Sequence, residues 1–411
     1  VTAPHVPADL REHAEERFFG IINNPPDIEP HDTYRWLHAN APAFVTGSGM
    51  LILTRFADVE PALRRRELGR GKESVLNLTS LPPELIEPVM TRWKRTMVYA
   101  NPPLHTRIRR RVAYAFGPHF VETLRDRVRA RARELLDGLA DTPGGNFMDL
   151  VAYPLGTTVL GDLLGVPHAD RDRIMALALD AMKIFDPQTA AAELPACARA
   201  EIEQAEYFGA LLAERRREPR DDLLSRLVAP ADDDPLDEIE LVATAANLMN
   251  AGIDTAPNLL GNALYALLEE PGQLALLRED PGRIPRAVDE LARFDPPLNL
   301  NPRTALEPCT VAGFDLEPDQ IVVSVQGAAN RDPRRFSDPD RLNVLRDEGP
   351  SLAFGGGIHS CLGAHVGPLE VRELLAELVT GFRAVEPGGP ARRRPGHNLR
   401  GFADVPLTLR R

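Results

Sequence analysis

Phe354-Gly-Gly-Gly-Ile-His-Ser-Cys361-Leu-Gly363 places one cysteine at the exit of a glycine-rich loop, where a helix is expected to begin. A thiolate there could bind a metal, because backbone N–H groups of the loop and of the following helix N-terminus can point at the sulfur and favour its anionic form. Of the three cysteines, only Cys361 has such surroundings. Cys197 lies in an Ala-rich, helix-like run, and Cys309 follows a proline near a strand start. The ordinary fate of a lone cysteine is burial in a turn, so the rest of the chain has to decide.

With 411 residues and 43% hydrophobic content the chain can bury a large core, and no linker divides it. The 38 prolines are scattered, and the aspartate run within 231–235 is short enough for a surface loop. One domain over residues 1–411 is expected. A formal net charge of −12 argues against general affinity for nucleic acid or anionic membrane. The cysteines make no disulfide framework, and no apolar run reaches the ~18 residues needed to span a bilayer. These features predict a soluble, cytoplasmic protein, taken to be a monomer. Helical spacing of apolar residues dominates at 118–140, 198–217, 237–270 and 368–382. Strand signals are short: Phe44-Val45 and 50–54 read as a hairpin around Gly47-Ser-Gly49, with further strands at Thr310-Val311, 321–325 and 405–409. The fold class is therefore mainly α with small β-sheets. Residues 71–92 read as a long loop with at most a short helix.

Ala251-Gly252-Ile253-Asp254-Thr255 sets a glycine beside an acid and an alcohol inside the long helical segment. Glycine costs about 1 kcal/mol relative to alanine in a helix. Pro257 removes the N–H that would bond the Ile253 carbonyl, so the helix should kink or open, giving a flat ligand and a small gas molecule access to the backbone. Glu290 and Arg293 are three apart and share a helix face. Downstream stand Asn330-Arg-Asp-Pro333 and Phe336-Ser-Asp-Pro-Asp-Arg341.

Taken together, these motifs resemble the cytochrome P450 family. Phe354, Gly357, His359, Cys361 and Gly363 fall on its Phe-x-x-Gly-x-His-x-Cys-x-Gly signature, and Ala251 to Thr255 match its (Ala/Gly)-Gly-x-(Asp/Glu)-Thr motif. The resemblance runs from the hairpin near Gly47 to the strand near Leu409 and implies the P450 fold of the soluble bacterial type. It implies haem b, with Cys361 as the iron ligand, Phe354 and Gly252 against the cofactor, and Thr255 and Asp254 delivering protons. His105, Arg109, Arg303 and His359 stand at positions that would bind the haem propionates. Glu290, Arg293 and Arg341 would form a buried ion network holding the loop that leads to Cys361. The implied activity is a monooxygenase inserting one dioxygen atom into a small organic substrate, by hydroxylation or epoxidation. Electrons would come from NAD(P)H through a reductase and a ferredoxin, and secondary-metabolite tailoring is the expected setting.

Pocket walls, by the same resemblance, would come from 71–92, 175–194, 248–252, 297–301 and 399–402. They would include Leu248, Met249, Ala251, Leu298, Asn299, Leu300 and Phe402, with polar Asn250, Asn301 and Arg400. The basic stretch from Arg92 to Arg111 is either a solvated surface or a docking site for an acidic iron–sulfur partner. Two departures stand out: Val366-Gly-Pro368 follows the cysteine loop, where Pro368 would remove a helical hydrogen bond, and Ala256 follows Thr255 where a second hydroxyl is common. Three rivals remain: a P450-fold enzyme that couples or rearranges its substrate, an oxygenase whose substrate is tethered to a carrier protein, and a catalytically silent haem protein used for recruitment.

Overall fold

A computed structural model describes residues 6–22, 29–71, 81–185, 189–229, 234–395 and 399–411. Its contacts gather into two compact units, each built from segments distant in sequence. One comprises Val1–Glu73, Arg129–Ala152 and Asn258–Arg411, and the other Ser74–Val128 and Tyr153–Pro257.

The first unit holds the sheets. Ala43–Val45 and Leu51–Leu53 form the expected antiparallel hairpin. Leu51–Leu53 then pairs in parallel with Ile321–Val325, which pairs antiparallel with Leu300–Ala305, and Leu68–Gly69 closes the far edge. Successive side chains of a strand point to opposite faces, and the burial follows that alternation. Leu51, Leu53 and Val322 pack with Val59, Ala62 and Leu63 of the helix Phe56–Arg64. Ile52, Val323 and Val325 pack with Phe18, Ile21, Tyr34 and Leu37 of the helices Ala8–Ile22 and His31–Asn40. Both faces are therefore covered by helices. The strand expected at 405–409 is Pro406–Arg410, paired with Ala384–Pro387 on one side and Gly145–Asn146 on the other. Cys309–Val311 pairs with Phe314–Leu316.

The second unit is helical. Leu194–Arg217 packs on Arg171–Met182, Pro83–Trp93 and Glu238–Ile253. Val89, Trp93, Ile184, Leu194, Cys197 and Ala198 fill one core between them. Pro83–Trp93 is longer than the short helix expected within 71–92, and 72–80 lie outside the described residues. Among the described residues no helix is long and apolar enough to cross a membrane.

Three expected helices change shape. Residues 118–140 divide into Pro118–Glu122 and Arg125–Ala140. Residues 237–270 divide into Glu238–Ile253 and Thr255–Glu269, with Asp254 between them. Pro257 is the third residue of the second helix, where its missing N–H is one the helix leaves unpaired in any case. The helix after the cysteine loop begins only at Val366. Pro368 stands in the first turn between Gly367 and Leu369, whose N–H groups bond the Gly363 and His365 carbonyls, so the bond it removes is the expected one to Ala364, and the helix continues through it.

Candidate active site

In the first unit, a chain of hydrogen bonds runs from the helix Ile284–Phe294 to the cysteine loop. Glu290 and Arg293, both buried, meet in a two-point pair at 2.6 and 2.9 Å. The remaining Arg293 nitrogen, Nη1, donates to the Asn330 and Pro339 carbonyls at 2.7 and 3.0 Å. The Asn330 side-chain oxygen accepts from the Leu352 N–H at 2.7 Å, and Gln326 Nε2 donates to the Leu352 carbonyl. From Leu352 the loop closes on itself, with Gly355 N–H on the Leu352 carbonyl at 3.0 Å and Cys361 N–H on the Phe354 carbonyl at 2.8 Å. Gly357 adopts φ +67°, and a Cβ there would lie 2.3 Å from the Leu63 carbonyl oxygen. Only glycine fits that approach.

Two expectations are corrected here. The third arginine of the network is Arg346, not Arg341. Arg346 Nε lies 3.0 Å from Glu290 Oε2, and Asn343 N–H donates to Glu290 Oε1 at 3.0 Å. Arg341 is exposed, and it offers its carbonyl oxygen to Arg346 at 3.3 Å. The turn 337–346 folds back, so the residue five positions later reaches the carboxylate. The second correction concerns the helix start: turn residues 362–365 separate Cys361, whose N–H bonds the Phe354 carbonyl, from the helix at Val366.

Cys361 is exposed, whereas Cys197 is buried and Cys309 half-buried. Burial pushes both of the latter thiols up. A Cβ at Gly363 would stand 3.8 Å from the Cys361 sulfur, in ordinary contact with it. Phe354 and His359 are half-buried in the same loop. Arg303, buried on the strand Leu300–Ala305, is braced by the Pro302 carbonyl at 2.9 Å and the Asn301 side chain. An accessible thiol with a fixed arginine and a histidine fits an iron porphyrin, which needs one soft ligand and cations for two carboxylates.

In the second unit, Thr255 Oγ1 donates to the Ala251 carbonyl at 2.7 Å. The hydroxyl takes up that carbonyl where the helix breaks. Asp254 is buried and accepts from Tyr153 Oη at 2.8 Å. Ala251 is exposed, while Gly252 and Thr255 are half-buried, so the break opens to an accessible face. A Cβ at Gly252 would meet Leu160 at 3.0 Å. His105 is buried and Arg109 half-buried on the helix Leu104–Val112.

Much of the basic stretch is paired internally. Arg92 grips Glu201, Arg95 reaches Asp237 at 2.6 Å, and Arg107 reaches Asp234 at 3.2 Å. Arg95 and Arg107 converge on buried Glu240, which with Asp237 also forms the capping box of the helix Glu238–Ile253. The exposed charge is therefore smaller than the sequence suggests.

Of the expected pocket residues, Ala251 is exposed, and Leu298 and Leu300 are half-buried. Leu248 and Met249 are buried in helix packing, and Asn299 is buried with its amide donating to the Pro296 carbonyl at 3.3 Å. Phe402 is taken up by Tyr265, with ring centroids 4.5 Å apart, and by the Arg393 guanidinium 3.9 Å from its ring. Arg400 joins Arg393 on Asp295, at 2.9 and 2.8 Å. Burial pushes the Asp295 carboxyl up, but the two guanidiniums outweigh it and hold the group well below the usual carboxylate range. Arg346, Asn330 and Tyr153 escaped the sequence reading. Asn330 lay within a quoted motif, whereas nothing in spacing marked the other two.

A loop-borne thiol braced by a buried ion network, together with an acid–alcohol break in a long helix, is the construction of a haem-thiolate oxygenase. The cytochrome P450 family model matches residues 84–403, and the chain belongs to that family. It is a P450 monooxygenase, and the family implies a haem-thiolate cofactor. Nocardicin C N-oxygenase of Nocardia uniformis subsp. tsuyamanensis is 35% identical over 405 residues, covering 94% of this chain and 97% of the relative. 6-Deoxyerythronolide B hydroxylase of Saccharopolyspora erythraea is 36% identical over 328 residues, covering 79% of this chain and 80% of the relative. Among solved structures, P450BioI in complex with hexadec-9Z-enoic acid ligated acyl carrier protein has a TM-score of 0.86 at 27% identity, covering 93% of this chain and 98% of that one.

Proposed function

We propose that this monooxygenase binds haem b through Cys361, hydroxylates or epoxidises a small organic molecule in secondary metabolism, and draws electrons from NAD(P)H through a reductase and a ferredoxin. The observation that carries this reading is the exposed Cys361 on a loop tied, through Leu352 and Asn330, to the buried Glu290–Arg293 pair. When bound, the haem supplies dioxygen activation and electron density from its thiolate. The chain does the rest. Arg303 and His359, with His105 and Arg109, hold the propionates, and the Glu290 network fixes the sulfur. Thr255 and Asp254 move protons, with Tyr153 Oη holding the Asp254 carboxylate at 2.8 Å.

Reaction under isotopically labelled dioxygen, with NAD(P)H, a ferredoxin and its reductase, should put one labelled atom in product and the other in water. Product without label would refute the reading. Cys361→Ala should abolish the thiolate spectrum; a normal one in that variant would remove the central claim. Thr255→Ala should release more peroxide per NAD(P)H at unchanged haem content, and unchanged coupling would take the proton-delivery role from Thr255. A second reading, a substrate carried on an acyl carrier protein, draws support from the likeness to the P450BioI complex. A spectral shift given by a loaded carrier and not by its free acid would favour it.

A further inference from the structure

Beyond its exposed first-turn residues Glu238 and Ile239, the helix Glu238–Ile253 is mostly buried, with accessible positions at Val242, Asn247, Asn250, Ala251 and Gly252. At 3.6 residues per turn, Asn250, Asn247 and Ala251 fall within one arc of about 100°. Asn247 stands one turn before Ala251, whose carbonyl receives the Thr255 hydroxyl at 2.7 Å. The face that leads to the acid–alcohol break therefore carries two carboxamides, although the flanking residues Leu248 and Met249 are apolar and buried.

Asn250 is held from behind. Gln204, fully buried on the helix Leu194–Arg217, donates from Nε2 to Asn250 Oδ1 at 2.8 Å. That bond engages the oxygen of Asn250 and leaves its NH2 group as a donor. Gln204 Oε1 has no hydrogen-bond partner among the described residues. A buried acceptor without a partner is destabilising, so leucine would pack at that position without the loss. A polar side chain retained there at a cost is explained by what it orients.

We infer that Asn247 and Asn250 form a recognition strip for a substrate bearing an amide or lactam group, and that Gln204 is a positioning residue for Asn250. The Asn250 NH2 can donate to a carbonyl and the Asn247 carboxamide can accept from an N–H, which is the pairing an amide offers in return. A site built to hydrogen-bond such a group discriminates strongly against an analogue lacking it, because its own polar atoms are then left unpaired. The inference rests on the monooxygenase reading above, since it gives that site its substrate class.

The test uses haem-loaded protein and a matched pair of probes, N-acetylphenylalaninamide and butylbenzene, each titrated by calorimetry and by the haem absorption shift. Wild type should bind the amide at least about tenfold more tightly. Asn250→Leu should abolish that preference, and Gln204→Leu should reduce it severalfold without weakening butylbenzene binding. Gln204→Asn, too short to reach Asn250, should behave as Gln204→Leu does. Equal affinity for the two probes, no binding of the amide, or a preference that survives Asn250→Leu would overturn the assignment. Haem content and the thiolate spectrum, recorded on the same samples, report separately on the monooxygenase reading.

Discussion

Arg346→Ala and Arg341→Ala separate the observed network from the one the motif suggests. The Arg346 side chain is 6% exposed and the Glu290 side chain 2%. Beyond its bonds to Glu290, Arg346 donates to the Ser337 carbonyl at 2.6 Å and to the Asp338 and Arg341 carbonyls at 3.3 Å. Hydrogen bonds involving a charged group contribute about 1.5–3 kcal/mol each, and breaking one side of a buried ion pair costs about 3–5 kcal/mol. Arg293 remains to compensate Glu290, which keeps the loss for Arg346→Ala near the middle of that range, about 4 kcal/mol. A domain stability of roughly 5–15 kcal/mol makes this a large fraction. Arg341→Ala removes an exposed side chain and should stay within about 0.5 kcal/mol. The assay is urea unfolding of the haem-loaded protein, followed by both circular dichroism and haem release. Arg346→Lys, which keeps the charge but not the fork, should fall between the two. Equal losses for the two alanine variants, or a larger loss for Arg341→Ala, would refute the assignment.

Glu370 is buried on the helix Val366–Gly381, its Oε2 has no hydrogen-bond partner among the described residues, and burial pushes its carboxyl up to about 8. An acid whose folded value is raised binds its proton more tightly in the native state, so stability falls as pH rises from the unfolded value near 4.5 through about 8 and then levels. At about 1.36 kcal/mol per unit, the stability of Glu370→Gln relative to wild type should rise by about 3 kcal/mol between pH 5 and pH 7.5; parallel unfolding curves across that range would refute it. Gly355→Ala and Gly357→Ala test the loop. Both glycines have positive φ, +70° and +67°, but a Cβ at Gly355 meets nothing closer than 3.6 Å, whereas one at Gly357 lies 2.3 Å from backbone. Gly355→Ala should cost about 1–2 kcal/mol of conformational strain, Gly357→Ala should cost more and lower haem retention, and the reverse order in thermal unfolding would sink the argument.

The motifs around Cys361 and Thr255 were legible because each is local: the residue types, their order and the glycine positions carry the chemistry within ten residues. The fold class followed from apolar spacing, and the strand Ile321–Val325 fell where its β-branched run predicts. The misread network and basic run involve partners distant in sequence. Arg341 and Arg346 are indistinguishable by spacing, and the turn between them decides which reaches Glu290. Asp254 lies 101 positions from Tyr153, and Gln204 lies 46 from Asn250. The opening expected from Pro257 is the break at Asp254, and Pro368 interrupts the ladder at Ala364 without ending its helix, both local effects that a proline announces in sequence. The basic run from Arg92 was read as surface, since the sequence does not show Glu201, Asp237 and Glu240 folding onto it.

Glu240 carries two duties at once. It completes the cap of the helix Glu238–Ile253, and it neutralises Arg95 and Arg107. Substitutions in this stretch are therefore pleiotropic. A lineage that altered Arg95 or Arg107 to suit a different protein partner would loosen the start of the helix that ends beside Asp254 and Thr255. Adaptation to a new partner at these arginines thus requires a compensating change at Asp237 or Glu240, whereas Lys94 and Arg110, both exposed, are positions where charge can drift alone.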